Sequence, residues 1–294
     1  MGSTWHYSKR LMLLIGWAKL LLNKPAPLKR NLVGLKHWYS IIYKRNTPLS
    51  IFEALVCWHS FFLKNEGFYY FCKKKTMKSY NFRQCSFELL EQTFGIEQTE
   101  YSLSLENWLT KAEITLVTEN EQLMITHFQS LLNRNLLGWN EQELALNFIG
   151  PLLSLVLFST KKYNLFAERP LDALLKDVNG EDILLAGKPD SIVASGFRSP
   201  QVPFFSFHEH KPEVDSSGDP VGQVLAAMMV GQAKNGNMEE PIFGCYVIGQ
   251  NWYFLVLDNK NYTIATPFAT TNKEIFDVFK MLKAMKMMIE ERIA

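Results

Sequence analysis

Two runs of β-branched and aromatic residues lie close together between residues 182 and 212, and both carry charges that a buried strand rarely contains. The first run, ILLAGKPDSIVAS, includes Asp190, and the second, PFFSFHEHK, ends with Glu209 and Lys211. Turn-forming residues from Gly196 to Pro203 separate the runs, and this arrangement predicts a β-hairpin.

The second run predicts which of its side chains lie together, because side chains alternate along a strand. One face is predicted to carry Phe205, Phe207, Glu209 and Lys211, and the other Ser206, His208 and His210. A carboxylate and an amine would then follow two aromatic residues on one face. The pattern therefore indicates a charged site at the end of a buried sheet.

Charge is distributed unevenly along the 294 residues, although the net charge is only +2. Residues 1–76 contain 13 Lys or Arg and two acidic residues, whereas residues 77–294 contain 18 basic and 27 acidic residues. Such asymmetry is typical of chains whose two parts have separate roles.

Residues 1–76 form a basic, aromatic-rich N-terminal extension, with helical apolar spacing over 11–22 and 50–63. Three interpretations remain open: a nucleic-acid arm, an amphipathic membrane-surface segment, and an extension that the fold does not need. The abrupt change in composition at Met77 favours the third.

The remaining chain predicts an α/β fold in which a mixed central sheet is flanked by helices. Residues 77–139 read as a helical accessory region, and Thr118 with Glu121 forms a capping-box pattern there. A helix over 140–158, interrupted at Pro151, precedes three predicted strands. A helix over GQVLAAMMVGQAKN (222–235), two or three further strands and a last helix follow. A capping box of Thr271 and Glu274 is predicted to open that last helix.

The charged residues of the hairpin match what phosphodiester hydrolysis requires. A divalent ion polarises the phosphate and activates a water, and a nearby cation stabilises developing charge. Asp190 and Glu209 would supply carboxylates, the His210 backbone carbonyl a third ligand, and Lys211 the amine. Oxygen ligands of this kind suit Mg²⁺ or Mn²⁺.

The pattern resembles the PD-(D/E)XK nuclease superfamily, whose motif is a Pro-Asp followed by Glu-x-Lys on the next strand. Here Pro189-Asp190 is separated by 18 residues from Glu209-His210-Lys211. The resemblance covers about half the chain, residues 140–270, and YVIGQNWYFLVL resembles a strand pair of bacterial members. It leaves residues 1–139 unexplained.

The resemblance implies a restriction-endonuclease-like core, consisting of a helix, a three-stranded meander, a crossover helix and a further strand, within a nuclease-like domain over 140–294. It also implies an assisting acid on the first core helix, which Glu143 matches, and a glutamine on the crossover helix, which Gln223 matches. The implied activity is Mg²⁺-dependent hydrolysis of nucleic acid, with DNA as the expected partner. The oligomeric state stays open, a dimer included.

Several residues have simpler interpretations. Glu209 and Lys211 can form an ion pair at a strand end, Glu143 can be a solvated helix residue, and Gln223 can be a first-turn helix residue. His208 and His210 are expected to be surface or packing residues, since no soft ligand accompanies them. The fold can also serve as a catalytically inactive module that binds nucleic acid or a protein.

The cysteine spacing and the hydropathy of the sequence indicate the cellular compartment. Cys57, Cys72, Cys85 and Cys245 show neither zinc-site nor disulfide spacing, which favours a reducing, cytoplasmic environment. The longest apolar runs are too short or too charged to predict a membrane-spanning helix.

Overall fold

The computed structural model describes residues 77–214 and 217–294. Residues Thr76–Ala294 form one compact unit, which is described below. The three interpretations of residues 1–76, with their helical segments, concern residues outside the described part of the chain.

Helices and strands alternate along this unit. The helices are α1 (Phe87–Phe94), α2 (Leu103–Glu113), α3 (Glu119–Asn135), α4 (Glu141–Leu144), α5 (Gly150–Leu155), α6 (Pro220–Asn235) and α7 (Ile275–Ile293). The strands are β1 (Lys78–Asn81), β2 (Glu97–Gln98), β3 (Tyr163–Ala167), β4 (Leu171–Lys176), β5 (Asp182–Gly187), β6 (Ser191–Ser195), β7 (Gln201–Lys211), β8 (Ile242–Ile248), β9 (Asn251–Asp258), β10 (Asn261–Ile264) and β11 (Phe268–Ala269). A π-helical stretch, Ala145–Ile149, joins α4 to α5.

The larger sheet has the order β2-β10-β9-β8-β7-β6-β3, and β11 pairs with β9. Strands β7 and β8 are parallel, as are β2 and β10, whereas the other pairs are antiparallel. Apolar clusters cover both faces of this sheet. One is formed with α2, α3, α5 and α7, and the other with α1 and α6. The predicted class, a mixed sheet flanked by helices in an α/β fold, is confirmed.

The first predicted strand of the hairpin is divided between two sheets. Its first part belongs to a smaller sheet with the strand order β1-β5-β4. Residues 182–187 pair with β1 and β4, whereas 191–195 pair with β3 and β7. The prediction of one continuous strand over ILLAGKPDSIVAS was therefore wrong, because Lys188 and Pro189 turn the chain between two sheets. The second half of the prediction, an antiparallel hairpin of β6 and β7, is confirmed.

A β-bulge corrects the predicted faces of β7. The register against β6 shifts between Ser206, which pairs with Val193, and Phe204, which pairs with Ala194. The extra residue, Phe205, belongs to the cluster on the opposite face from Phe207. A bulge inserts one residue and so reverses the alternation beyond it.

Residues 77–139 contain more than the predicted helices. Strand β1 pairs with β5, β2 pairs with β10, and the Trp108 side chain of α2 donates a hydrogen bond to the Met281 carbonyl of α7 (2.7 Å). The segment therefore contributes to both sheets and to the main apolar cluster.

Two capping predictions had different outcomes. The capping box of Thr118 and Glu121 is confirmed at the start of α3. The box of Thr271 and Glu274 was wrong, since Glu274 is itself the N-cap of α7 and its carboxylate accepts a hydrogen bond from the Ala269 N–H (2.6 Å). Within the described ranges, no helix has the length and apolar character needed to cross a membrane.

Candidate functional site

The charged residues of the hairpin lie at one edge of the larger sheet. Asp190 immediately precedes β6, and Glu209, His210 and Lys211 are the last three residues of β7. Since β6 and β7 are antiparallel, the start of one lies beside the end of the other. The first residue of α4, Glu141, reaches the same edge.

Glu209 and Lys211 project from the β7 face that packs against α6. They are only 5% and 7% exposed, respectively. Phe207 precedes them on this face, and its ring lies where Gly231 of α6 has no side chain. This close packing of helix and strand buries the charged residues that follow.

An ion-pair network compensates for that burial. The Lys211 amine donates to Glu209 Oε1 (2.8 Å) and contacts Glu141 Oε2 (3.4 Å). Charges removed from water are tolerated when they are paired and hydrogen-bonded. The network thus joins the end of β7 to the start of α4.

Asp190 is fixed by His210. Its Oδ2 atom accepts the backbone N–H of His210 (2.8 Å) and lies 2.9 Å from the Nδ1 atom of the same residue. Both contacts fall on one carboxylate oxygen. The pair therefore sets the orientation of the carboxylate while its contacts leave Oδ1 available to a ligand.

The pKa values of the Asp190 and Glu209 carboxyl groups are shifted in opposite directions. Burial opposes ionisation of Asp190, but the hydrogen bonds and charge of His210 outweigh burial and lower its pKa. Burial, together with the negative charge of Asp190, raises the pKa of Glu209 to about 7. Protons therefore compete with cations for Glu209 near neutral pH.

The two basic groups have raised pKa values. Burial acts against the charged form of His210, but the hydrogen bond to Asp190 and the negative charges of Asp190, Glu141 and Glu209 together outweigh burial and raise the pKa of the ring. Burial also acts against the charged Lys211, but the hydrogen bond to Glu209 and the same three carboxylates together raise the pKa of the amine. Lys211 is consequently a cation at neutral pH.

The turn after β8 fixes the end of β7. Gly249 donates its N–H to the Lys211 carbonyl (2.9 Å) and has a positive φ of 54°. A Cβ at this position would clash with the Glu213 side chain, which accepts the N–H of Gln250 (3.1 Å). Glycine is required here because both the backbone conformation and the space exclude a side chain.

The acidic residue of α4 that reaches the charged network is Glu141 rather than Glu143. The Glu143 carboxylate is exposed and accepts the Asn140 N–H (2.9 Å), while the Asn140 side chain accepts the Glu143 N–H (3.0 Å). This is a complete capping box, and the Asn140-x-x-Glu143 pattern in the sequence is its signature. The same pattern could have directed attention to Glu141, whose carboxylate the box leaves uncommitted.

Gln223 lies in the first turn of α6 and is 5% exposed. Its amide nitrogen is directed at the loop before the helix, where a Cβ added to Gly218 would be 2.8 Å away. Among the described residues, no hydrogen bond joins the Gln223 side chain to the charged network. The structure therefore places Gln223 in α6, as predicted, without a hydrogen bond to that network.

His208 is a buried packing residue, as expected, whereas His210 is not. The His208 ring is buried, with Nδ1 2.8 Å from Ser191 Oγ and Nε2 3.1 Å from Ser206 Oγ. The side chain of His210 belongs to the site through Asp190. The sequence interpretation assigned its backbone carbonyl as a ligand and missed the ring.

Three side chains are close enough to bind one metal ion. Ligand atoms of Glu141, Asp190 and His210 all lie within 4.8 Å of one another, and each residue is partly buried. Two carboxylates and an imidazole are common ligands of divalent cations in proteins. Their donor chemistry fits a divalent ion. The predicted ligand Glu209 is not a member of this group, although the Lys211 amine links it to Glu141 and the charge of Asp190 acts on its carboxyl group.

Exposed cations flank Asp190 on two loops. Lys188 lies between β5 and β6, and Arg169 follows Glu168, whose N–H donates to the Asp190 carbonyl (3.1 Å). Across residues 77–214 and 217–294, neither cation forms an ion pair. Both are therefore available to an anionic ligand.

Known proteins give no further assignment, because no family model matches the chain and no curated protein matches it significantly.

Proposed function

We propose that residues 77–294 form a Mg²⁺-dependent nuclease that hydrolyses phosphodiester bonds of DNA. The observation that carries the proposal is the meeting of Asp190, Glu209 and Lys211 with Glu141 at one sheet edge. These are the carboxylates and the amine that such chemistry needs, drawn from three separate parts of the chain.

The topology supports the same proposal. Strands β3, β6 and β7 lie side by side as antiparallel neighbours, and α6 then connects β7 to the parallel strand β8. This succession matches the helix, meander, crossover helix and strand of the restriction-endonuclease-like core. Strands β4 and β5 form an additional hairpin between the first two strands of the meander.

Each residue has a distinct role. A bound divalent ion would polarise the scissile phosphate and lower the pKa of an attacking water. Asp190 and Glu209 would bind the ion, and Glu141 would take the assisting position that the resemblance assigns to Glu143. Lys211 stays protonated, so it stabilises negative charge on the phosphate and orients the water by donating a hydrogen bond.

A DNA substrate requires local positive charge, since residues 77–294 carry a net charge of −9. Lys188 and Arg169 provide it next to Asp190 by contacting backbone phosphates. The basic residues of segment 1–76 would add sequence-independent affinity.

The first prediction is that Asp190→Asn and Lys211→Met each reduce cleavage of plasmid and linear DNA by at least about 100-fold, the scale of losing one group that acts in the transition state. Both substitutions preserve side-chain volume, and circular dichroism with thermal melting would verify folding. Cleavage would be measured with the full chain in Mg²⁺, in Mn²⁺ and in EDTA.

A matched pair of substitutions separates the two acids of α4. Glu141→Gln should lower cleavage, whereas Glu143→Gln should not, because glutamine also completes a capping box. Undiminished cleavage by both Asp190→Asn and Lys211→Met would refute the nuclease proposal.

A second function, a catalytically inactive binding module, is favoured by one observation. Lys211 is paired with Glu209 and Glu141, and His210 with Asp190, so each of these charged groups has an oppositely charged partner within the protein. If that is its role, Mg²⁺ and Mn²⁺ will leave the melting temperature unchanged, whereas a ligand of the folded state raises it.

A further inference from the structure

The His210 imidazole is part of the only potential metal-ligand group of three or more residues within residues 77–214 and 217–294. Its partners are the carboxylates of Glu141 and Asp190. The motif resemblance predicts a ligand from the backbone of this residue, and the side chain adds a nitrogen donor.

The spacing suits a shared ion. His210 Nδ1 and Asp190 Oδ2 are 2.9 Å apart. Adjacent ligand atoms about 2.1 Å from one octahedral ion lie about 3 Å from each other. An ion can therefore be bound by both atoms with little movement of either side chain, and it replaces the Nδ1 proton, which is released to solvent.

The His210 side chain is also preoriented. Its backbone N–H donates to the same Asp190 oxygen that the ring faces, and the side chain is only 15% exposed. A ring fixed in this way loses little conformational freedom when it binds an ion. Glu141, at the end of a short helix, is the more exposed of the ligands and can adjust to the ion.

A nitrogen ligand changes which ions bind best. Mg²⁺ prefers oxygen ligands, whereas imidazole favours first-row transition metals. We propose that His210 Nδ1 is a metal ligand and that the site selects a first-row transition-metal dication over Mg²⁺. This inference rests on the metal site of the proposed function and revises which ion occupies it.

The test measures binding to the full chain by calorimetry, with Mn²⁺ and Mg²⁺ as separate probes. Mn²⁺ has the same charge as Mg²⁺ and also accepts carboxylate ligands, and the change in its affinity in the His210 variant isolates the nitrogen ligand. We expect one Mn²⁺ site with at least about tenfold tighter binding than Mg²⁺, and at least about a tenfold loss of Mn²⁺ affinity in His210→Phe. The control His127→Phe, at an exposed position on α3, should bind as the wild type does.

A spectroscopic measurement does not depend on how well the variants fold. Electron spin-echo spectroscopy of bound Mn²⁺ should show coupling to an imidazole nitrogen in the wild type and in His127→Phe, and none in His210→Phe. Absence of that coupling in the wild type, or equal affinities for Mn²⁺ and Mg²⁺, would overturn the inference.

The outcomes separate this inference from the nuclease proposal. Selective Mn²⁺ binding with nitrogen coupling but no DNA cleavage would support the ligand and refute the nuclease. Mg²⁺-supported cleavage without nitrogen coupling would support the nuclease and refute His210 as a ligand.

Discussion

At the residue scale, Glu209 and Lys211 show how a charged pair is accommodated at the end of an apolar strand. Each is almost fully buried, and each has the other within 2.8 Å. The sequence identified both residues, because charges after Phe207 are anomalous in a buried strand. The sequence did not show that Glu141 contacts Lys211, since that contact joins residues 70 positions apart.

His208 illustrates a buried histidine with a structural role. Its pKa is lowered from 6.5 to about 4, first by burial and then by the charge of His210, with Asp190 acting in the opposite direction. The folded protein therefore excludes a proton that the unfolded chain binds below pH 6.5. Its free energy of unfolding should fall as the pH decreases from 6.5 to about 4, by about 3 kcal/mol for this group.

We predict that His208→Asn removes this pH dependence. Asparagine can still hydrogen-bond to Ser191 and Ser206 but does not titrate. Urea denaturation in EDTA between pH 7 and pH 4 would measure the stability of both proteins. The free energy of unfolding of the wild type minus that of His208→Asn should decrease by about 3 kcal/mol as the pH falls from 7 to 4.

Other groups near His208 do not obscure the comparison. Glu209, His210 and Asp190 titrate in both proteins, so their contributions largely cancel in the difference. A difference in unfolding free energy that is constant with pH would show that His208 is protonated normally in the folded state.

At the element scale, the bulge in β7 decides what the site contains. With regular alternation, Phe205 would face α6 together with Glu209. The extra residue instead places Phe205 in the cluster beneath α2 and α7, and Phe204 lies on the α6 face, where its ring stacks on Phe207. A bulge depends on how two strands pair, which the sequence of one strand does not reveal.

Loops at the same sheet edge give a prediction about DNA. Lys188→Glu and Arg169→Glu should each weaken DNA binding and reduce the slope of log affinity against log salt by about 1, because each removes one phosphate contact. Fluorescence anisotropy at several salt concentrations, with Ca²⁺ in place of Mg²⁺ to prevent cleavage, would measure both quantities.

The matched control is Lys234→Glu. Lys234 is equally exposed but lies near the C-terminal end of α6, where Asn235 contacts Phe204 near the start of β7, at the opposite end of the sheet. The Lys234→Glu substitution changes the net charge by the same amount as Lys188→Glu or Arg169→Glu. If all three variants bind alike, local phosphate contacts at the site are excluded.

At the scale of the whole molecule, residues 76–294 form a compact unit by themselves. We predict that a chain starting at Thr76 unfolds in one cooperative transition. A chain starting at Ser86 should be less stable, because it lacks the pairing of β1 with β5 and the buried Phe82 side chain. Denaturation of the two proteins would test this, and equal stability would contradict it.

The chain that starts at Thr76 also tests the role of residues 1–76. Their 13 basic and two acidic residues should provide most of the salt-dependent DNA affinity, so removal should weaken binding and flatten its salt dependence. If the full chain instead bound anionic vesicles and its DNA affinity were unchanged by removal, the membrane-surface interpretation would be favoured.

The sequence by itself determined the α/β class, the hairpin of β6 and β7, and three charged residues of the site. These follow from local periodicity and from the rarity of buried charge. Tertiary structure alone decided that residues 182–187 belong to a second sheet, that Phe205 faces away from Glu209, and that Glu141 and the His210 ring join the site. Those features depend on which distant strands and helices pack together, and local patterns do not encode that choice.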